Sequence, residues 1–299
     1  MTTFNELVDE VGFRLSGFGM RNDANGYLTS GTGITDSALS FAVSTTNPVG
    51  RGVIEIDDEL IWIDSYDQAT GVVTVPPWGR GYLGTTAATH AANSKVSLNP
   101  IFTRKAIKDE LNYTIRAVGE RLFATGSYEF TYNPTRSTYE LPTGVESVLG
   151  VTYQTIGPSK EWMPVRKWRF DPMASTTGFA SGASLTLAQA VDSGAIVHVT
   201  YSMEPSTLVN NSDVFTTVTG LPASCQDVIT LGACHRMLSF VDTGRLTFES
   251  PESDLQSGKI TVGSGTNVAK YVFALFQQRL SEESDRLKKR FPIRQHFTG

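Results

Sequence analysis

The stretch TRKAIKDELNYTIRAVGERLF, residues 103–123, decides how the fold reads. Ile107, Leu111, Ile115, Val118 and Leu122 recur at steps of four, four, three and four, the stripe of a helix buried along one side. Lys105 and Asp109 stand one turn apart and add an ion pair worth roughly a few tenths of a kcal/mol.

Three more segments carry helical spacing. Residues 4–18 place Phe4, Leu7, Val8, Val11, Leu15 and Phe18 on one face, with Thr3 and Glu6 as a capping box and Gly19 as a stop. Residues 224–241 open with a second capping box, Ser224 and Asp227, and close near Gly244. Residues 266–290 bury a stripe of Val268, Val272, Leu275, Phe276, Leu280 and Leu287. Glu282 and Arg286 stand one turn apart there, as do Asp285 and Lys289; Pro292 ends the helix.

Between the helices the period changes to two. Residues 53–56 and 60–63 form a hairpin around an acidic turn, Asp57-Asp58-Glu59. Residues 67–71 turn into the strand 72–75, Tyr128, Phe130 and Tyr132 alternate before an Asn133-Pro134 turn, and 195–201 is a strong strand. Residues 172–184 are small and polar and read as an exposed loop. The resulting expectation is an α+β protein: a helical bundle core of about four helices (1–19, 100–125 and 221–299) with two inserted β-rich modules, small barrels or sandwiches, at 20–99 and 126–220.

Bulk properties narrow the function. A net charge of −5 disfavours general binding to nucleic acid, which needs a basic face to displace counterions. Cys225 and Cys234 are nine residues apart on one predicted helix, on different faces, and read as two buried thiols. The first residues have no basic segment leading into an apolar one, so no signal peptide is expected, and no apolar run reaches the length of a membrane span. No HExxH, GxSxG, Walker A or post-strand GxGxxG pattern occurs, and His90, His198, His235 and His296 stand outside metal-ligand spacing, so no catalytic residue, metal or cofactor is expected. His198 and His235 read as structural. The acidic cluster 57–59 reads as a solvated turn, and the glycines of 79–84 as tight-turn residues in preference to a phosphate cradle.

Three stretches together resemble one group of proteins. WGRGYLGTTAATHAA (78–92) is similar to the RG-x-x-GT-x-A-x-x-H stretch in small β-modules of phage structural proteins. Leu221-Pro222 followed by DVITLGA (227–233) resembles the start of the third helix in phage adaptor-like proteins. RL (279–280) through RLKKRFP (286–292), with His296 beyond, is similar to the helical end of such proteins from actinobacterial siphophages.

The resemblance is to head-to-tail adaptors of tailed bacteriophages, and it implies a structural virion protein in the neck, assembled in the host cytoplasm. Its partners would be itself in a ring of twelve copies, the portal protein, and a stopper, neck or tail-terminator protein. DNA would pass through the ring, and no membrane would be involved. The docking arm would be the C-terminal tail, with Lys288, Lys289, Arg290 and Arg294 as its cations and Phe291, Ile293 and Phe297 as apolar anchors. The alternative is another virion part: a baseplate, tail-fibre attachment or capsid-decorating protein. Its β-modules would bind protein or glycan, with Trp62, Trp78, Trp162 or Trp168 stacking on sugars.

Overall fold

The computed structural model describes residues 1–16, 24–45, 50–246 and 264–291. Helix α1 (Phe4–Leu15) buries Phe4, Leu7, Val8, Val11 and Leu15, the face read from the sequence. Phe18 and Gly19 lie outside the described residues.

Seven short strands follow: β1 (Ala24–Leu28), β2 (Ser40–Thr45), β3 (Gly52–Ile56), β4 (Glu59–Ile63), β5 (Ser65–Asp67), β6 (Val72–Thr74) and β7 (Lys95–Leu98). They form one antiparallel sheet in the order β4-β3-β7-β1-β2-β6-β5. The strands at its two edges, β4 and β5, are separated in the chain by Asp64 alone, so the sheet curls into a nearly closed barrel and hides edges that would otherwise invite pairing. Ile54, Ile56, Ile61 and Ile63 point inward with Phe41, Val43, Val73 and Val96. The turn between β3 and β4 is Asp57-Asp58, with Asp57 in the left-handed region that short Asp side chains tolerate (φ 53°).

Helix α2 (Arg104–Val118) begins after Thr103, whose Oγ1 accepts the Ala106 amide at 3.1 Å, an N-cap not read from the sequence. Thr103→Ala should cost about 1 kcal/mol of unfolding free energy, measurable as a lower urea midpoint with an unchanged slope. Ile107, Leu111, Ile115 and Val118 are buried as the stripe predicts. The helix stops at Val118, and Leu122 is buried from the turn beyond it.

A second set of strands comprises β8 (Ala124–Thr131), β9 (Thr138–Glu140), β10 (Val145–Gln154), β11 (Trp162–Pro164), β12 (Trp168–Asp171), β13 (Ser184–Leu187) and β14 (Ile196–Met203). They make a four-stranded sheet, β11-β10-β14-β8, and a three-stranded sheet, β12-β13-β9, both antiparallel. One core joins them, with Val148, Val151, Val197 and Val199 from the first and Tyr139, Leu185 and Leu187 from the second. The Tyr139 hydroxyl donates to the Asn133 carbonyl and accepts the Asn133 amide, both at 2.8 Å, which fixes the Asn133-Pro134 turn.

Three further helices lie among the described residues: α3 (Phe215–Thr219), α4 (Gln226–Leu246) and α5 (Ser264–Arg290). The predicted capping box before α4 is not what forms. Ser224 sits in a 3-10 turn and donates to Glu283 at 2.6 Å, and Asp227 takes Arg279 at 2.6 Å. With His235 Nδ1 3.2 Å from the Ala269 carbonyl, these contacts run α5 antiparallel beside α4. Arg279 also holds Glu282, and Arg286 lies 3.8 Å from Glu283, so the predicted Glu282 and Arg286 pairing is replaced. Contacts divide the chain into two compact units, one of residues 1–5, 112–231 and 273–299, the other of 6–111 and 232–272.

The expected helical bundle core is therefore wrong. The described residues form five helices and three antiparallel sheets, and the protein is β-rich. The two cores described above are built from strand residues and the turns between them. A one-sided apolar stripe reports that a helix is covered, but not what covers it.

Candidate functional site

Among the described residues, a dense cluster of chemistry-bearing side chains lies where the loop 76–90 returns to the barrel. Glu59 opens β4 with the same parity as Ile61 and Ile63, so its carboxylate turns inward at the end of the barrel, with the side chain fully buried. A buried carboxylate needs donors. Oε1 accepts Arg80 Nε at 2.8 Å and the Gly81 amide at 2.9 Å. Oε2 accepts Arg80 Nη2 at 2.9 Å, the Ala88 amide at 3.0 Å and His90 Nε2 at 2.9 Å.

Arg80 is satisfied as fully. Beyond its fork on Glu59 it donates to the carbonyls of Thr35 at 2.7 Å, Ala38 at 3.0 Å and Ala88 at 2.7 Å, which occupies every guanidinium N–H. His90 presents Nε2 to Glu59 and Nδ1 to Asp57 Oδ2 at 2.8 Å. Two carboxylates facing both ring nitrogens call for the imidazolium.

Titration follows this geometry. Burial alone would push the Glu59 carboxyl up, but the bonds from Arg80, His90 and the two amides win and hold it at about 2. Burial lowers His90, and its bonds to Glu59 and Asp57 outweigh that and raise it above the ordinary 6.5.

Five residues of the resembled motif WGRGYLGTTAATHAA have clear structural roles. Arg80 and His90 clasp Glu59, and Thr85 Oγ1 accepts the Leu60 amide at 3.1 Å. Gly81 sits at φ 62°, where a Cβ would lie 2.8 Å from the Thr85 carbonyl oxygen; a Cβ on Gly79 would lie 2.6 Å from the Trp62 carbonyl oxygen. Gly79 and Gly81 thus permit close backbone approach.

The solvated acidic turn is corrected. Only Asp57 of the three is mostly exposed, and each acid is paired: Asp57 with His90, Asp58 with Arg104 at 3.1 Å and Lys108 at 2.7 Å, and Glu59 with Arg80. Side chains engaged with one another in this way form a staple that fixes the loop on the barrel.

The staple holds three aromatic rings on the barrel's outer wall. Ring centroids of Trp62 lie 6.0 Å from Trp78 and 5.4 Å from Tyr82, and those of Trp78 and Tyr82 are 6.2 Å apart. Trp78 is 58% exposed. On the other unit Trp162 meets His198 edge-on at 5.7 Å, and His198 Nδ1 lies 3.0 Å from Glu129. Trp168 is half-buried against the sandwich core.

Lys288, Lys289 and Arg290 are exposed at the end of α5, and the Arg290 guanidinium lies 5.4 Å from the half-buried Phe291 ring. Ile293, Arg294 and Phe297, the other predicted arm residues, lie outside the described residues, as does His296. Cys225 and Cys234 are free and buried, and burial pushes their thiols up to about 12 and about 11. Among the described residues no helix is long and apolar enough to cross a membrane. No protein-family model matches the chain, and no curated protein matches it.

Proposed function

We propose that the chain is a non-enzymatic structural subunit that closes into a ring with copies of itself in the neck of a tailed-phage virion, in the manner of the head-to-tail adaptors that the motifs of 78–92, 221–233 and 279–292 resemble. The supporting observation is the apolar surface that α5 leaves uncovered. Leu280 and Leu287 are buried, whereas Val272, Leu275 and Phe276 are half-buried and Tyr271 and Phe273 are 64% and 42% exposed. Two positions apart on a helix project to nearly opposite sides. Tyr271 and Phe273 therefore offer separate apolar surfaces, and a closed ring needs two different lateral faces on each subunit.

The full chain, alone and mixed with portal particles, is expected to form rings in negative stain and to weigh several subunits by light scattering. Phe273→Asp and Tyr271→Asp should each weaken association about thirtyfold, the scale of a lost hot spot. A chain that stays monomeric at high concentration and beside portal would overturn the assignment. In this reading the tail from 288 onward is the portal arm. Deleting 288–299 would abolish copurification with portal while preserving the melting transition.

A further inference from the structure

We propose that the outer wall of the barrel carries a saccharide-binding platform formed by Trp62, Trp78 and Tyr82 and rimmed by Arg51 and Asp64. Neighbouring Ile61 and Ile63 point into the barrel, so Trp62 belongs to the outer face. The three rings stand within about a ring's width of one another. Trp78 contributes little to any core, since more than half of its surface meets water.

The loop that holds Trp78 and Tyr82 is nonetheless among the most firmly tied in the molecule, through Arg80, Gly81 and Ala88 to Glu59. Ordering an exposed indole this firmly gains nothing for the barrel's own core. It does remove the ordering cost that a ligand would otherwise meet.

The rim selects the ligand class. Arg51 and Asp64 are ion-paired at 3.0 Å with both side chains mostly exposed, and the Arg51 guanidinium lies 5.8 Å from the Trp62 ring centroid. A pyranose ring offers an apolar C–H face to an aromatic surface and hydroxyls around its edge to planar donors and acceptors. A purely apolar partner would leave Arg51 and Asp64 covered and desolvated at a cost. This platform is independent of the ring assembly proposed above.

The test titrates the full chain with chito-oligosaccharide and cello-oligosaccharide, followed by tryptophan emission and saturation-transfer NMR, and then screens bacterial cell-wall polysaccharides on an array. Saccharide-dependent emission change is expected, with Trp78→Ala lowering affinity at least tenfold at unchanged melting temperature and particle size. Trp78→Phe should keep part of the affinity. Absence of binding to every saccharide on the array would overturn the proposal. So would a Trp78→Ala variant whose particle size changes, since the platform would then be a protein contact. Assembly is read by size and the platform by titration, so the two assignments fail separately.

Discussion

Glu59→Gln is expected to destabilise the barrel unit by about 3–5 kcal/mol, the cost of leaving a buried charge without its counter-ion. Glu59 accepts bonds from Arg80 Nε, Arg80 Nη2, His90 Nε2 and two backbone amides, and an amide side chain has one oxygen to replace two. Arg80, with a nearly fully buried side chain, would keep its charge and lose its partner. Urea unfolding followed by Trp62 and Trp78 emission, in a background with Trp162 and Trp168 replaced by Phe, should show the midpoint fall. Arg80→Met alone should cost a similar amount. The double variant should cost clearly less than the sum, because it removes both charges together. Additive losses would mean that the two side chains do not act as a unit.

The parts of this arrangement differ in how legible they were in the sequence. The β3 and β4 hairpin follows from period-two alternation, and the Asp57-Asp58 turn from turn chemistry. The role of Glu59 is hidden because three consecutive acids look like solvated turn residues. Yet Glu59 shares parity with Ile61 and Ile63, and an acid on the inward row needs a cation from elsewhere. Arg80 and His90, both in the resembled motif, supply it from 21 and 31 residues away. No local pattern encodes that separation.

The helices show the complementary failure. Local spacing located them to within a few residues, except for the five-residue α3, which is shorter than a periodic signal. Spacing did not tell that Val272, Leu275 and Phe276 would be only half covered, because burial depends on what stands opposite. The aromatic cluster was likewise hidden: Trp62 and Trp78 are adjacent only because the loop folds back over β4, with the Trp62 amide donating to the Gly79 carbonyl.

Raising the pH from about 5 to about 8 should weaken the barrel unit by about 3 kcal/mol through Glu55, with His90 adding in the same direction. Glu55 is 7% exposed and accepts the Arg104 amide at 2.6 Å. Burial pushes its carboxyl from 4.5 up to about 7, against the pull of the Arg104 amide and the charges of Arg104 and Lys95, while Asp58 pushes with it. Between those values the folded chain keeps a proton that the unfolded chain has released, so this stabilisation is complete below 4.5 and gone above about 7. His90, raised above 6.5, likewise contributes fully below 6.5 and is lost as the pH climbs through its folded value. Glu59 acts in the opposite sense: held at about 2, it contributes above 4.5 and loses that contribution as the pH falls toward 2. Stability should therefore peak near pH 5 and decline on both sides. Glu55→Gln keeps an acceptor for the Arg104 amide without the ionisation, so thermal melts of this variant should match the parent near pH 4 and exceed it at pH 8. Parallel melting curves for the two proteins across that range would show that Glu55 ionises without cost and that its surroundings do not exclude water from it.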